Sequence, residues 1–327
     1  MLKNQRNVTI WWYNEGSCFA LCEKEAVKGK IHMSLYIDDW KRQAAAEDRE
    51  LPLDVKLIAL DMDGTLLNEH GVLAEESKAA LMKAMEQGVH VVIATGRVFS
   101  ALPQDVIKVP GIEYAITSNG ANIIRLEDNE TIYSDLIDGS KLDQIMDILE
   151  DDTIMKEVFY DHQVFAQKSC LENLAAYGIR TEKSQRYTLS TRQPVEDALA
   201  LILENRDKLE NINLMFGDED RRQEVWKRLN GVEGITACSS MPYNLEIGGP
   251  NTSKAAALDA LASILKVDKS QIMACGDSSN DAAMLRHAGI SVAMGNAEAE
   301  VKAESLMVTK TNAEHGVAYA IRELVLK

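Results

Sequence analysis

From Lys56 onward, short apolar runs alternate with amphipathic stretches. LIAL (57–60) has the length and uniform apolarity of a strand buried on both faces. The stretch from Leu73 to Gln87 has helical spacing and closes at Gly88, and VHVVIA (89–94) follows as a second buried strand. Strand, helix, strand in that order predicts a parallel pair with a right-handed crossover, the unit of a doubly wound α/β sheet. YAIT (114–117), then SNGA and NIIRL with a turn at Asn119-Gly120, continues the series.

Between about residues 137 and 248 the order changes. GSKLDQIMDILED, PVEDALALILENRD and DRRQEVWKRL read as helices, EVFYDHQVFAQ as a hairpin, and INLMF, ITACS and YNLEI as strands. This is an inserted α+β module. After Lys254 the first pattern resumes with helix AAALDALASIL, strand QIMAC, helix NDAAMLRHA and strands ISVAM and LMVTK. The expected division is an extension at 1–53, a core made of 54–136 and 249–327, and an inserted domain at 137–248. Residues 1–53 hold Trp11, Trp12 and Trp40, three of the four tryptophans, without strand–helix alternation. They are expected to be a poorly ordered tail, with a docking arm as the alternative.

Charge narrows the partners. With 35 Lys+Arg against 51 Asp+Glu, the net charge of -16 opposes binding to the phosphate backbone of nucleic acids. A small phosphate ester remains open, because local N–H groups, a lysine and a metal act at shorter range than the global field. No apolar run reaches the ~20 residues of a membrane span, and the amino terminus lacks a signal-peptide core, so no membrane partner and a cytoplasmic location are expected. Cys18, Cys22, Cys170, Cys238 and Cys275 are scattered and odd in number, which reads as reduced thiols rather than a disulfide framework.

Candidate chemistry sits at the ends of the predicted strands. Asp61-Met62-Asp63-Gly64-Thr65 follows LIAL, where open α/β sheets place their ligands. Two carboxylates two residues apart can share one crevice, one as nucleophile and one handling a proton, and Gly64 permits a sharp turn. A plain Asp-Gly turn is the alternative. Thr95-Gly96-Arg97 ends the next strand: Thr95 offers a hydroxyl and a backbone N–H to a phosphoryl oxygen, Gly96 allows close approach, and Arg97 reads as an ion-pair or domain-bridging residue ahead of a substrate ligand. Lys254 opens a helix and could neutralise a phosphoryl group. Asp277, with Asn280 and Asp281 behind it, follows QIMAC and suits Mg²⁺, a hard cation bound by one or two carboxylates; helix capping is the alternative for Asp277. Four such motifs at four strand ends are far more specific together than singly.

DMDGTLL, ATGR, SNGA, SKAAAL and GDSSNDAAML resemble the signatures of the haloacid dehalogenase (HAD) superfamily, and within it the Cof-type sugar phosphatases. AGISVAMGNAEAEV and VTKTNAEHGVAYAI look like the tail of the YidA-type members. The resemblance covers about residues 54–327. It implies a Rossmann-like doubly wound HAD core with an inserted α/β (C2B-type) cap at 137–248 that contacts the substrate. It makes Asp61 the nucleophile and Asp63 the general acid/base. Asp61, the backbone carbonyl of Asp63, and Asp277 would bind Mg²⁺. Thr95, Gly96, Lys254 and Asn280 would hold the phosphoryl group, with Asp281 and Arg97 supporting. Ala255 departs from the glycine usual after the lysine. The expected activity is hydrolysis of a small phosphorylated metabolite, sugar phosphates first, by a monomer or weak homodimer. The rivals are a flavin mononucleotide or pyridoxal phosphate phosphatase, a phosphomutase, and a low-activity binding protein. Within the cap, Tyr160, His162, Lys168 and Arg180 are candidates to reach a substrate, each weighed against a surface or packing role.

Overall fold

The computed structural model describes residues 35–47 and 50–327. Trp11, Trp12, Cys18 and Cys22 lie outside the described residues, as does most of the 1–53 extension. Six strands come first: β1 (Leu35–Tyr36), β2 (Leu57–Leu60), β3 (His90–Ala94), β4 (Ile112–Thr117), β5 (Asn122–Arg125) and β6 (Glu130–Ser134). Next come β7 (Ile154–Tyr160), β8 (Gln163–Gln167), β9 (Arg192–Val195), β10 (Leu209–Phe216), β11 (Thr236–Cys238) and β12 (Asn244–Gly248), which form a sheet of their own. β13 (Ile272–Gly276), β14 (Ile290–Ala293) and β15 (Met307–Val308) return to the first sheet.

That first sheet runs β1-β15-β14-β13-β2-β3-β4-β5-β6, parallel from β1 through β4 and antiparallel beyond. Its order reverses at β2, with β3 and β4 on one side and β13 to β15 on the other. Such a switch point opens a crevice at the carboxyl ends of the strands. Leu60 lies opposite Ile93 and Cys275, so Asp61, Thr95 and Asp277 leave the sheet at nearly one level. All of β2 is buried, as a parallel strand covered on both faces must be.

The end of the N-terminal segment departs from the poorly ordered tail expected of it. β1 pairs with β15 and leads into α1 (Ile37–Ala46). Ile37, Trp40 and Ala44 fall on one face of α1 and are 1%, 7% and 2% exposed within the core. Burying an indole and its neighbours supplies the apolar contact that a disordered tail lacks. Lys41 also pairs with Glu323, and the Tyr319 hydroxyl donates to Asp38. β1 thereby covers an edge that β15 would otherwise present. α2 (Glu75–Glu86) has the spacing read from the sequence, burying Ser77, Ala80, Leu81 and Ala84.

The second sheet has the order β11-β12-β10-β7-β8-β9. Along its strands the period of two separates two faces. Val158, Ile212, Leu214, Leu245 and Ile247 pack under helices that include Ala198–Glu204 and Glu219–Leu229. Glu157, Asn213 and Glu246 stand opposite one another on the other face, which turns toward the first sheet. Phe159 and Val164 pack there on Val98. α3 (Glu182–Thr191), just before β9, has Thr188 as its one buried residue, so no apolar periodicity announces it.

The chain crosses between the sheets twice, at about 135–137 and 249–252. The Asp135 carboxylate accepts the Asn251 N–H at 3.0 Å and the Thr252 hydroxyl at 2.7 Å, which ties the crossings together. α4 (Lys254–Leu265) starts directly afterwards, capped by Ser253, whose Oγ accepts the Ala256 N–H. Trp40→Ala is expected to lower stability by about 3 kcal/mol, the usual cost of emptying a buried aromatic site. Thermal unfolding checks this, and an unchanged midpoint would show α1 unpacked.

Candidate active site

The crevice above β2 contains a lysine with almost no contact with water. Lys254, 1% exposed, donates to Asp61 Oδ1 at 2.7 Å and to Asp281 Oδ1 at 2.7 Å. Burial works against its charge, but the Asp281 and Asp61 carboxylates outweigh that and raise its pKa. Lys254 is therefore a fixed cation. The Asp281 Oδ2 accepts the backbone N–H groups of Asp277 and Ser278 at 3.0 and 3.1 Å, so both of its oxygens are engaged within the protein.

Asp61 is engaged on one side only. Its Oδ2 is buried and has no hydrogen-bond partner. An orphaned carboxylate oxygen in such a place is costly unless a ligand completes it. Burial and the nearby Asp281 carboxylate push the Asp61 pKa well up, against the pull of Lys254. Asp277 is pushed up to about 6, first by burial and then by Asp281. Its Oδ1 accepts the Thr65 hydroxyl at 2.9 Å. Oxygens of Asp61, Asp277 and Asp281 lie within 4.8 Å of one another. Three carboxylates against one ammonium leave an excess of negative charge, and the donors are all oxygen. This set fits a hard divalent cation.

Glycines set the approach of the loops. Gly64 has φ +84°, and a Cβ there would lie 2.4 Å from Asp277 Oδ2, so the turn can rest on Asp277 only without a side chain. Gly120, at φ +106°, meets the start of α4, where a Cβ would lie 2.2 Å from the Ser253 carbonyl oxygen. Asn296 donates to the Gly64 carbonyl at 2.8 Å and Asn312 to that of Leu67 at 2.9 Å, pinning the loop that carries Asp61 and Asp63.

Asp63 lies on the crevice wall with Arg97. The guanidinium grips its carboxylate through two N–H groups, at 2.8 and 2.6 Å. Thr95 differs from expectation in one respect. Its backbone N–H bonds to the Ile116 carbonyl at 2.9 Å, continuing the pairing of β3 with β4, so its hydroxyl is the group left for a ligand. That oxygen also accepts the Arg97 N–H at 3.2 Å. Asn280 lines the crevice, yet its side chain bonds to the Ser278 hydroxyl at 2.7 Å and to Asn119 Oδ1 at 3.2 Å.

The cap roofs the crevice into a cleft of about 890 Å³. Asp61, Asp63, Thr95, Gly96, Arg97, Asp277 and Asn280 line it from the core. Phe159, Tyr187, Arg192, Asn213, Met241 and Glu246 line it from the cap. Among the cap candidates named from sequence, none of the four lines it. Lys168 and Arg180 are exposed, Tyr160 stacks near Phe165, and His162 sits at the β7–β8 hairpin tip, bonded to Thr131. The residues that do line it come singly from different strands, and no motif marks them. Glu246 is 5% exposed, and burial raises its pKa against the hydrogen bonds from Ser240, Asn244 and Asn119.

Residues 58–321 match the haloacid dehalogenase-like hydrolase family. The 5-amino-6-(5-phospho-D-ribitylamino)uracil phosphatase YcsE of Bacillus subtilis is 32% identical over 286 residues, 84% of this chain and 97% of that protein. Phosphatase YwpJ of the same organism is 30% identical over 287 residues, 83% of this chain and all of the relative. The solved structure of a haloacid dehalogenase-like hydrolase from B. subtilis superposes with a TM-score of 0.72 at 30% identity, covering 83% of this chain and 100% of that one. Among the described residues, no helix is long and apolar enough to cross a membrane. With the family match spanning most of its length, the chain belongs to the haloacid dehalogenase-like hydrolases, a Rossmann-like core with an inserted cap, and is a phosphatase acting on small phosphorylated substrates.

Proposed function

We propose that this phosphatase is Mg²⁺-dependent and works through an aspartyl-phosphate on Asp61. The observation that carries the proposal is the Asp61 carboxylate, one oxygen held by the buried Lys254 and the other without a partner beside Asp277. Asp61 attacks phosphorus in line, and the bond to the alcohol oxygen breaks. Asp63 gives its proton to the departing alkoxide. Asp63 then takes a proton from water, which attacks the acyl-phosphate, releases inorganic phosphate and restores Asp61. Lys254 and the Thr95 hydroxyl hold the phosphoryl oxygens, while Asp281 and Asn280 keep Lys254 and the Asp277 loop in place. Asp61, the Asp63 carbonyl and Asp277 would hold Mg²⁺, which offsets charge on the phosphoryl group when bound.

For the substrate, sugar phosphates come first. The cap presents Arg192, Asn213 and Glu246 to the cleft, polar groups suited to hydroxyls, beside the apolar Phe159 and Val164. A phosphorylated ribityl chain bearing a ring, as in the name of the 32%-identical relative, combines hydroxyls with a planar ring whose face can stack on an aromatic side chain, and flavin mononucleotide shares this. Phosphate release from a panel of both kinds, with Mg²⁺, decides between them. Failure on every ester would reject the phosphatase assignment.

Asp61→Asn is expected to abolish turnover while leaving the fold intact. Residual Mg²⁺-dependent hydrolysis above about a thousandth of wild type would remove Asp61 from the nucleophile role. Because a proton on Asp277 competes with the cation, Mg²⁺ affinity is expected to fall as pH drops through the Asp277 pKa of about 6, approaching about tenfold per pH unit below it. Calorimetric titration at pH 5 and pH 7 reads this, and equal affinities at the two would exclude Asp277 as a ligand.

A further inference from the structure

Two guanidinium groups lie against the ring of Tyr187 of α3. The Arg97 Cζ lies 5.0 Å from its ring centroid, and that of Arg192, at the start of β9, lies 5.2 Å from it. Both are within the ~6 Å over which an aromatic face attracts a cation. Each guanidinium is also anchored in its own plane. Arg192 grips the buried Glu157 through two N–H groups at 2.7 Å each. Arg97 grips Asp63 and adds a bond to the Ala101 carbonyl at 3.2 Å. A continuous series of contacts thus runs from the floor of the cap through Tyr187 to Asp63. Lys183, one turn earlier on α3, reaches the Glu69 carbonyl at 3.2 Å, so the same helix meets the core at two places beside the cleft.

Resting on the phosphatase reading, we propose that Tyr187 is a positioning residue for Asp63, acting through Arg97, and that it links proton transfer to closure of the cap. In-plane bonds to a carboxylate and contact with a ring face use different parts of a guanidinium, so both can form at once. The ring sets the guanidinium plane, and the plane sets the direction of the carboxylate. Asp63 needs this help because its side chain is 55% exposed, in contrast to the buried Asp61. With the cap swung away, Tyr187 leaves with α3, and Arg97 loses the wall that orients it.

The test compares two esters on the full-length protein with Mg²⁺. Glycerol 2-phosphate releases an alkoxide that must receive a proton, whereas p-nitrophenyl phosphate releases a phenolate that leaves without one. In Tyr187→Leu the ratio of kcat/KM for the alkyl ester to kcat/KM for the aryl ester, which reads only the step that forms the aspartyl-phosphate and expels the alcohol, is expected to fall about tenfold, a part of what a general acid supplies. In Tyr187→Phe, which keeps the ring face, the ratio is expected to stay within about twofold of wild type. In an Asp63→Asn background, Tyr187→Leu is expected to leave the ratio where Asp63→Asn alone puts it. Equal losses of kcat/KM on both esters, or a Phe variant that behaves like the Leu variant, would overturn the inference while the phosphatase reading stands. A wild-type protein that hydrolyses neither ester would overturn both.

Discussion

Lys254 carries its charge at 1% exposure because two carboxylates, each 2.7 Å away, answer it. One lies 193 residues earlier in the chain and the other 27 residues later. An unpaired ammonium in that position would cost several kcal/mol, so the fold is held to arrangements in which the Asp61 turn, the start of α4 and the Asp277–Asp281 loop converge. The remaining supports serve this convergence. Gly120 lets the SNG loop press against the start of α4, Asp281 holds the backbone of Asp277 and Ser278, and Gly64 lets the Asp61 turn lie on Asp277. The local excess of negative charge that results is also what prepares the crevice for a cation.

Most of the core was legible because its signals are local. A parallel strand buried on both faces must be a short apolar run, and the residues after it must leave at the crevice, so LIAL followed by Asp61 already locates the crevice. Asp277 could be named for the same reason and Lys254 as the opening of a helix, although their meeting with Asp61 depends on pairings that no local pattern contains. The backbone of Thr95 shows the limit. Its N–H continues the pairing with β4 at Ile116, and a strand end read without its neighbour cannot reveal that.

The cap was legible as a domain and opaque as a binding surface. Its buried face follows the period of two and packs as any core does, but the cleft face is assembled from single residues on β7, β9, β10 and β12 whose register is a property of the folded sheet. α3 escaped for a related reason: a helix with one buried residue has no apolar stripe to read. Trp40 misled in the opposite direction. The lack of strand–helix alternation around it pointed to a tail, whereas three residues spaced along one face were enough to seat α1 on the core.

The two crossings between core and cap are bound to each other through Asp135, which accepts from Asn251 and Thr252. Two independent tethers would let a cap slide, tilt and twist. Laced side by side, they form one line at the base of the cap, and rotation about that line would leave the Asp135 bonds unbroken. A cap turning about that line would carry all the side chains it holds over the cleft together, as one body.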